Sequence, residues 1–142
     1  MTGALAPQQA FSWPVRVYWE DTDAGGIVFY ANYLKFFERA RTEWLRSRGV
    51  EQRAVRERTG GMFVVSDTRV RYHLPARLDD ELFVTAWASE TGRASMTIQQ
   101  QALLKTPTGH VLSCEGSIRV GWVDGVSYRP ARIPSSILEK LT

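Results

Sequence analysis

Residues 20–33 read Glu-Asp-Thr-Asp-Ala-Gly-Gly-Ile-Val-Phe-Tyr-Ala-Asn-Tyr. Two carboxylates, Asp21 and Asp23, stand two positions apart, ahead of a glycine pair, Gly25 and Gly26, that can take backbone angles other residues avoid. The residues that follow have helical periodicity, and a helix beginning there aims its free N–H groups back at the loop. Working upstream, residues 13–19 alternate Val15, Val17 and Trp19 against Arg16 and Tyr18, the period-2 pattern of a half-buried strand, with Pro14 near its start or on an edge. The stretch is a strand-to-helix loop, so the fold has one helix inserted directly after its first strand.

Downstream, residues 32–48 carry Leu34, Phe37, Arg41, Trp44 and Leu45 near helical spacing, with Phe36 and Ala40 widening the stripe. Aromatics on both faces predict a helix covered on most sides. Arg39 with Glu43, and Glu38 with Arg41, have the spacing of helix ion pairs, and Gly49 is a natural stop. A shorter helix over 50–58 ends at Thr59-Gly60-Gly61. Strands are expected over 62–73, 82–90, 95–105 and 111–123, divided by Leu74-Pro75-Ala76, Thr91-Gly92 and Thr106-Pro107-Thr108-Gly109. Short connections predict antiparallel neighbours, and the tail, 133–141, predicts a final short helix. The layout is α+β, one antiparallel sheet wrapped around one long helix, in a single domain over 1–142 with a flexible N-terminus over 1–12.

With 142 residues, 44% of them hydrophobic, the chain can bury a core of ordinary size. The net charge of +3 is spread without a basic block, which argues against a nucleic-acid binder and leaves room for a few basic side chains on a small anionic ligand. Cys114 is the only cysteine, so neither an intrachain disulfide nor a CxxC motif can form, and a reducing cytoplasm is the expected setting. Residues 1–10 lack the charges and apolar core of a secretory signal, and no apolar run approaches the roughly 20 residues that insert across a membrane.

Asp and Gly together also build ordinary turns. Here the carboxylates border Ile27, Val28, Phe29, Tyr30 and Tyr33, which predicts a desolvated, reactive carboxylate facing unpaired donors, an arrangement suited to hydrolysis. Other chemistries find less. His73 and His110 are the only histidines, no Gly-x-Ser-x-Gly elbow is present, and both read as surface or turn residues. Cys114 reads as a small buried hydrophobe, and no ligand-spaced His pair suggests a metal site. Glu38 reads as a partner of Arg41 at least as readily as a site residue.

Three segments carry a family pattern: Val-Arg-Val-Tyr-Trp-Glu-Asp-Thr-Asp-Ala-Gly-Gly-Ile-Val-Phe-Tyr-Ala-Asn-Tyr, then Phe-Glu-Arg-Ala-Arg-Thr-Glu-Trp-Leu-Arg, then Pro-Ala-Arg-Leu-Asp-Asp. Together they resemble the hot-dog-fold acyl-CoA thioesterases, in particular the Tol-Pal-associated (YbgC-type) branch of the 4-hydroxybenzoyl-CoA thioesterase family. The likeness runs from Trp13 to Pro-Ala-Arg-Ile-Pro-Ser-Ser-Ile at 130–137. It implies that Asp23 is the catalytic carboxylate, as nucleophile or as general base for water, while Asp21 serves the turn. It implies that the backbone N–H of Tyr30 polarises the thioester carbonyl, with Gly26, Ile27, Val28 and Tyr33 contacting substrate and Arg93 meeting CoA phosphate. The resemblance brings no cofactor. It implies a homodimer or homotetramer whose acyl-CoA clefts lie between subunits. Tyr30 departs from the Tol-Pal branch, where His is common, and agrees with the aryl-CoA enzymes. Of the basic cluster that grips CoA in those enzymes, only Arg93 is matched. A hot-dog hydratase would carry His five residues after the Asp, where this chain has Val28. A non-catalytic module binding acyl-CoA or acyl-carrier protein is the remaining alternative.

Overall fold

The computed structural model describes residue 7 and residues 9–142. Strand β1 (Phe11–Arg16) leads through a 3-10 turn (Trp19–Asp21) to helix α1 (Asn32–Ser47), followed by the short helix α2 (Gln52–Thr59). Four long strands follow, β2 (Gly61–Tyr72), β3 (Glu81–Thr91), β4 (Ser95–Thr106) and β5 (Gly109–Asp124), and the chain closes with helix α3 (Ser135–Leu141). Of the N-terminal stretch expected to be flexible, residues 1–6 and 8 lie outside the described residues, and Phe11 and Ser12 belong to β1.

All strand pairs are antiparallel, in the order β1-β3-β4-β5-β2. The short turns at 92–94 and 107–108 make β3, β4 and β5 sequential neighbours, as expected. The connection containing Leu74-Pro75-Ala76 does not make a hairpin: β2 pairs with β5, with Tyr72 opposite Cys114, and β1 takes the far edge beside β3. The reason lies in residues 73–80, which form a strap. Asp80 Oδ2 accepts the Arg77 N–H, Val17 N–H donates to the Asp80 carbonyl, and Asp79 N–H donates to the Val17 carbonyl.

The first strand also ends earlier than its alternation suggests. Asp21 Oδ2 accepts the Tyr18 N–H at 2.8 Å and the Asp21 N–H donates to the Tyr18 carbonyl at 3.0 Å, so the backbone turns before Trp19. Trp19 is consequently 81% exposed and does not share the buried face of Val15 and Val17.

Helix α1 lies on the sheet through Phe36, Phe37, Ala40, Trp44 and Leu45, against Leu82, Val84, Met96, Ile98, Ala102, Cys114 and Ile118. Its opposite face is open at Leu34, Lys35, Glu38 and Arg39, so coverage is one-sided, as an amphipathic helix requires. Neither expected ion pair forms among the described residues. Glu43 accepts a bond from Arg46, Glu38 accepts from Thr42, and Arg41 turns inward to donate to Gln100 Oε1 at 3.0 Å. Gln100, buried beneath the helix, is satisfied on both ends, since its Nε2 donates to the Phe37 and Thr85 carbonyls.

Close approach of helix to sheet needs Gly116, where an added Cβ would lie 2.9 Å from the Phe37 ring and 3.2 Å from Ile118. Gly116→Val should therefore lower the unfolding free energy by about 1–3 kcal/mol through overpacking. A urea titration of wild type and variant checks it, and an unchanged midpoint would mean that the core can yield at this point.

Candidate active site

The Asp-Gly loop is built from its own backbone. Asp23 N–H donates to the Ile27 carbonyl at 2.8 Å, and Gly26 N–H donates to the Asp23 carbonyl at 3.0 Å. Gly26 sits at φ +79°, in the left-handed region that favours glycine. Gly25 N–H donates to Asp23 Oδ1 at 2.8 Å, which orients the carboxylate. Bridges between Thr22 and Val28 and between Ile27 and Arg77, with Val28 N–H donating to the Ala76 carbonyl at 2.9 Å, clamp the loop onto the 73–80 strap. The Pro-Ala-Arg-Leu-Asp-Asp segment is thus the brace of this loop.

The two carboxylates divide their tasks. Asp21 is the buried one, 5% exposed, spending its side chain on the Tyr18 N–H and its carbonyl on the Phe29 N–H and Asn32 Nδ2, both at 2.9 Å. Asp23 is exposed in the single chain, contrary to the expectation of a desolvated carboxylate. The side chain follows its turn outward, because the bond from Gly25 N–H fixes it on the loop rim and not over the core.

Helix α1 opens at this loop with Ala31 as N-cap and no side chain capping it. Among the described residues nothing accepts a bond from the Tyr30 amide, and the Tyr30 carbonyl accepts the Tyr72 hydroxyl at 2.8 Å. A free N–H at the positive end of a helix favours an anionic oxygen. Beside it, Ile27, Val28, Tyr30, Tyr33, Tyr72, His73, Leu74 and Pro75 line an open, largely apolar cleft of about 340 Å³. Tyr33 is a buried wall of this cleft and an anchor of the strap. Its hydroxyl lies 3.0 Å from Ser113 Oγ and accepts the Ala76 N–H at 3.3 Å, while Ser113 Oγ donates to the Leu74 carbonyl at 2.6 Å.

The structure places Ile27, Val28, Tyr30 and Tyr33 along one cleft, with Asp23 and Gly26 in the turn that leads into it. It does not bring Arg93 to them within one chain. Arg93 lies in the β3–β4 turn, its carbonyl accepting the Ile133 N–H at 2.8 Å, and shares a surface hollow with Ala94, Pro130, Ala131 and Arg132. That hollow borders Trp122, eight residues along β5 from Cys114 beside the cleft, or about 26 Å at the rise of a strand. Arg132 was not a candidate from the sequence, because 39 residues separate it from Arg93 and only the tail's return along the sheet joins them.

Tyr72, His73, Leu74 and Pro75 are the other cleft residues that sequence reasoning missed, since their position depends on β2 pairing with β5. His73 Nε2 stands 3.8 Å from Glu115 Oε1, a carboxylate 1% exposed. Cys114 is buried, as expected, and desolvation together with the Glu115 charge pushes its thiol up to about 12 from an ordinary 9.0. Burial likewise raises Tyr33 above its ordinary 10.0. Both groups hold their protons longer folded than unfolded. Their contribution is thus fully present below about pH 9 and lost as pH rises through the folded values. Stability measured by urea unfolding should fall from about pH 9 upward, and Cys114→Ala should flatten that fall. A pH-independent midpoint over that range would contradict it.

Residues 17–141 match the thioesterase-like superfamily, and the chain belongs to that family. It is 42% identical over 129 residues to the acyl-CoA thioester hydrolase YbgC of Escherichia coli O6:H1, covering 90% of this chain and 92% of that one. It is 39% identical over 127 residues to the acyl-CoA thioesterase YbgC of Haemophilus influenzae, covering 89% and 90%. Among solved structures, a 4-hydroxybenzoyl CoA thioesterase mutant complexed with 4-hydroxybenzoyl CoA superposes with a TM-score of 0.88 at 20% identity, covering 94% and 99%, a likeness of fold. A hypothetical protein from Aquifex aeolicus superposes at 0.84 with 29% identity, covering 93% and 99%. The α+β arrangement is the hot-dog fold expected from the sequence.

Proposed function

We propose that this chain hydrolyses acyl-CoA thioesters to free CoA and a carboxylic acid. The observation that carries the reading is the turn in which the Gly25 N–H orients the Asp23 carboxylate, in the same loop that leads to the unoccupied amide of Tyr30 at the uncapped start of α1. With the thioester carbonyl oxygen at the Tyr30 N–H, negative charge developing on that oxygen is stabilised by a donor already in position. Asp23 then either attacks the carbonyl carbon, giving an anhydride that water opens, or takes a proton from the attacking water. In both routes the C–S bond breaks, CoA leaves as its thiolate and is protonated, and water supplies the oxygen of the acid. Gly26, Ile27, Val28 and Tyr33 form the wall of the acyl end.

The reading extends to a cytoplasmic homodimer, or homotetramer of two dimers, in which Arg93 with Arg132 of one copy serves the CoA phosphates bound by another. The distance within one chain supports that sharing. Tol-Pal-associated metabolism and an acyl-carrier protein as a partner belong to the same proposal.

Release of CoA thiol from short-chain, long-chain and aromatic acyl-CoAs tests the reading. Turnover of at least one class is expected. Absence of turnover across the panel by folded protein would overturn it in favour of the acyl-CoA-binding module.

A further inference from the structure

Glu115 is a buried carboxylate that neither the Asp23 loop nor the apolar core uses. It is 1% exposed on β5, set between Arg71 of β2 and Gln101 of β4 in the strand register. Among the described residues neither of its carboxylate oxygens has a hydrogen-bond partner. A carboxylate taken out of water in this way is costly unless a counter-charge offsets it. Its ion-pair partner is His73, whose Nε2 stands 3.8 Å from Glu115 Oε1.

The backbone fixes His73 for this contact. Its N–H donates to the Ser113 carbonyl at 2.8 Å, an acceptor shared with the Leu74 N–H at 3.1 Å, so the start of the strap is pinned to β5 two residues from Glu115. The imidazole is partly exposed and lines the cleft that also holds Tyr30. Two other polar side chains of that cleft are spent inside the protein, the Tyr33 hydroxyl on Ser113 and Ala76 and the Tyr72 hydroxyl on the Tyr30 carbonyl. With Nε2 turned to a carboxylate, the neutral ring carries its proton there and its lone pair on Nδ1. The Asp23 turn reaches the same strap from the other side. Asp23 N–H is bonded to the Ile27 carbonyl, Ile27 bridges to Arg77, and Val28 donates to Ala76, three residues after His73.

We infer that Glu115 and His73 are a carboxylate–histidine pair that serves the second half of the hydrolysis. This rests on the thioesterase reading and selects its nucleophilic route. Asp23 attacks the thioester carbon, the C–S bond breaks and CoA leaves as its thiolate, giving the anhydride. His73 Nδ1 then takes a proton from water, whose oxygen bonds to the acyl carbon. The C–O bond to Asp23 breaks, which restores the Asp23 carboxylate and frees the acid. The proton on His73 returns to solvent and balances the one taken up by the CoA thiolate. Glu115 is the positioning residue: it holds the tautomer and stabilises the imidazolium while that charge exists.

The test is pre-steady-state release of CoA thiol from an acyl-CoA that the wild type turns over, with His73→Gln and Glu115→Gln beside it. His73→Gln should release about one CoA per site at the wild-type rate and then slow about 100-fold to 10,000-fold in the steady state. The acyl group should remain on Asp23, where hydroxylamine captures it as a hydroxamate and the intact mass of the protein rises by one acyl group. Glu115→Gln should keep the burst and lose about 10-fold to 100-fold in the steady state, the cost typical of removing a partner that orients a histidine. First and later turnovers slowed equally, or steady-state rates left unchanged, would overturn the assignment. A wild type that releases no CoA from any acyl-CoA fails the thioesterase reading itself, before either variant is compared. Should His73→Gln not fold, His73→Asn takes its place with the same expectations.

Discussion

Asp23→Asn should fold as the wild type does and release CoA about 100-fold to 10,000-fold more slowly in kcat, the range general acid–base chemistry supplies. The substitution is chosen for what it leaves intact. Asn keeps an oxygen to accept the Gly25 N–H, so the turn retains the bond that orients the side chain. Asp23 is exposed and on a loop, so its stability effect should stay within about 0.5 kcal/mol. A rate loss with an unchanged urea midpoint assigns the carboxylate to chemistry. Wild-type turnover in the variant would remove Asp23 from the reaction, because no other carboxylate shares its position: Asp21 is buried in its own turn. The exposure of Asp23 in one chain also means that its desolvation, which would sharpen its reactivity, has to come from bound substrate or a second subunit.

The second large effect concerns an atom that ordinary side-chain replacement does not touch. Tyr30→Pro deletes the amide proposed to hold the oxyanion, and Tyr30→Ala keeps it. The proline variant should lose about 100-fold to 1,000-fold in kcat, roughly 2.7–4 kcal/mol of transition-state stabilisation. Tyr30→Ala should lose far less, since the ring is 64% exposed and meets Phe29 and Tyr72 only edge-on or tilted. Proline is tolerated just ahead of a helix, and no described acceptor loses a bond when this N–H is removed. Comparable losses in both variants would shift the role from the backbone to the phenol.

Much of this was legible in the residues. The periodicity of α1 and of four strands and the glycine stop at Gly49 follow from local rules, spacing and turn chemistry, while the separate roles of Asp21 and Asp23 came from the family resemblance. Where those rules failed, a specific contact that periodicity does not encode had won, local in one case and long-range in the others. Trp19 alternates with Val15 and Val17 but is exposed, because Asp21 captures the Tyr18 N–H and turns the chain. Arg41 is spaced to pair with Glu38 but donates to Gln100, which reaches it from β4 across 59 residues. His73 reads as a turn histidine but lines the cleft, because β2 skips β3 and lies beside β5.

The sequence by itself determined that one long helix follows the first strand, that the Asp-Gly loop introduces it, and that the rest is antiparallel sheet. These depend on interactions a few residues apart, where propensity and periodicity act directly. Only the tertiary structure decided that β2 is the open edge, that Tyr72 and His73 flank Tyr30, and that Arg93 stands with Arg132 at the opposite end of β5. Strand order and cavity shape are set by which apolar faces bury together at long range. That choice is made by packing α1 over the whole sheet at once, and no local window of residues contains it.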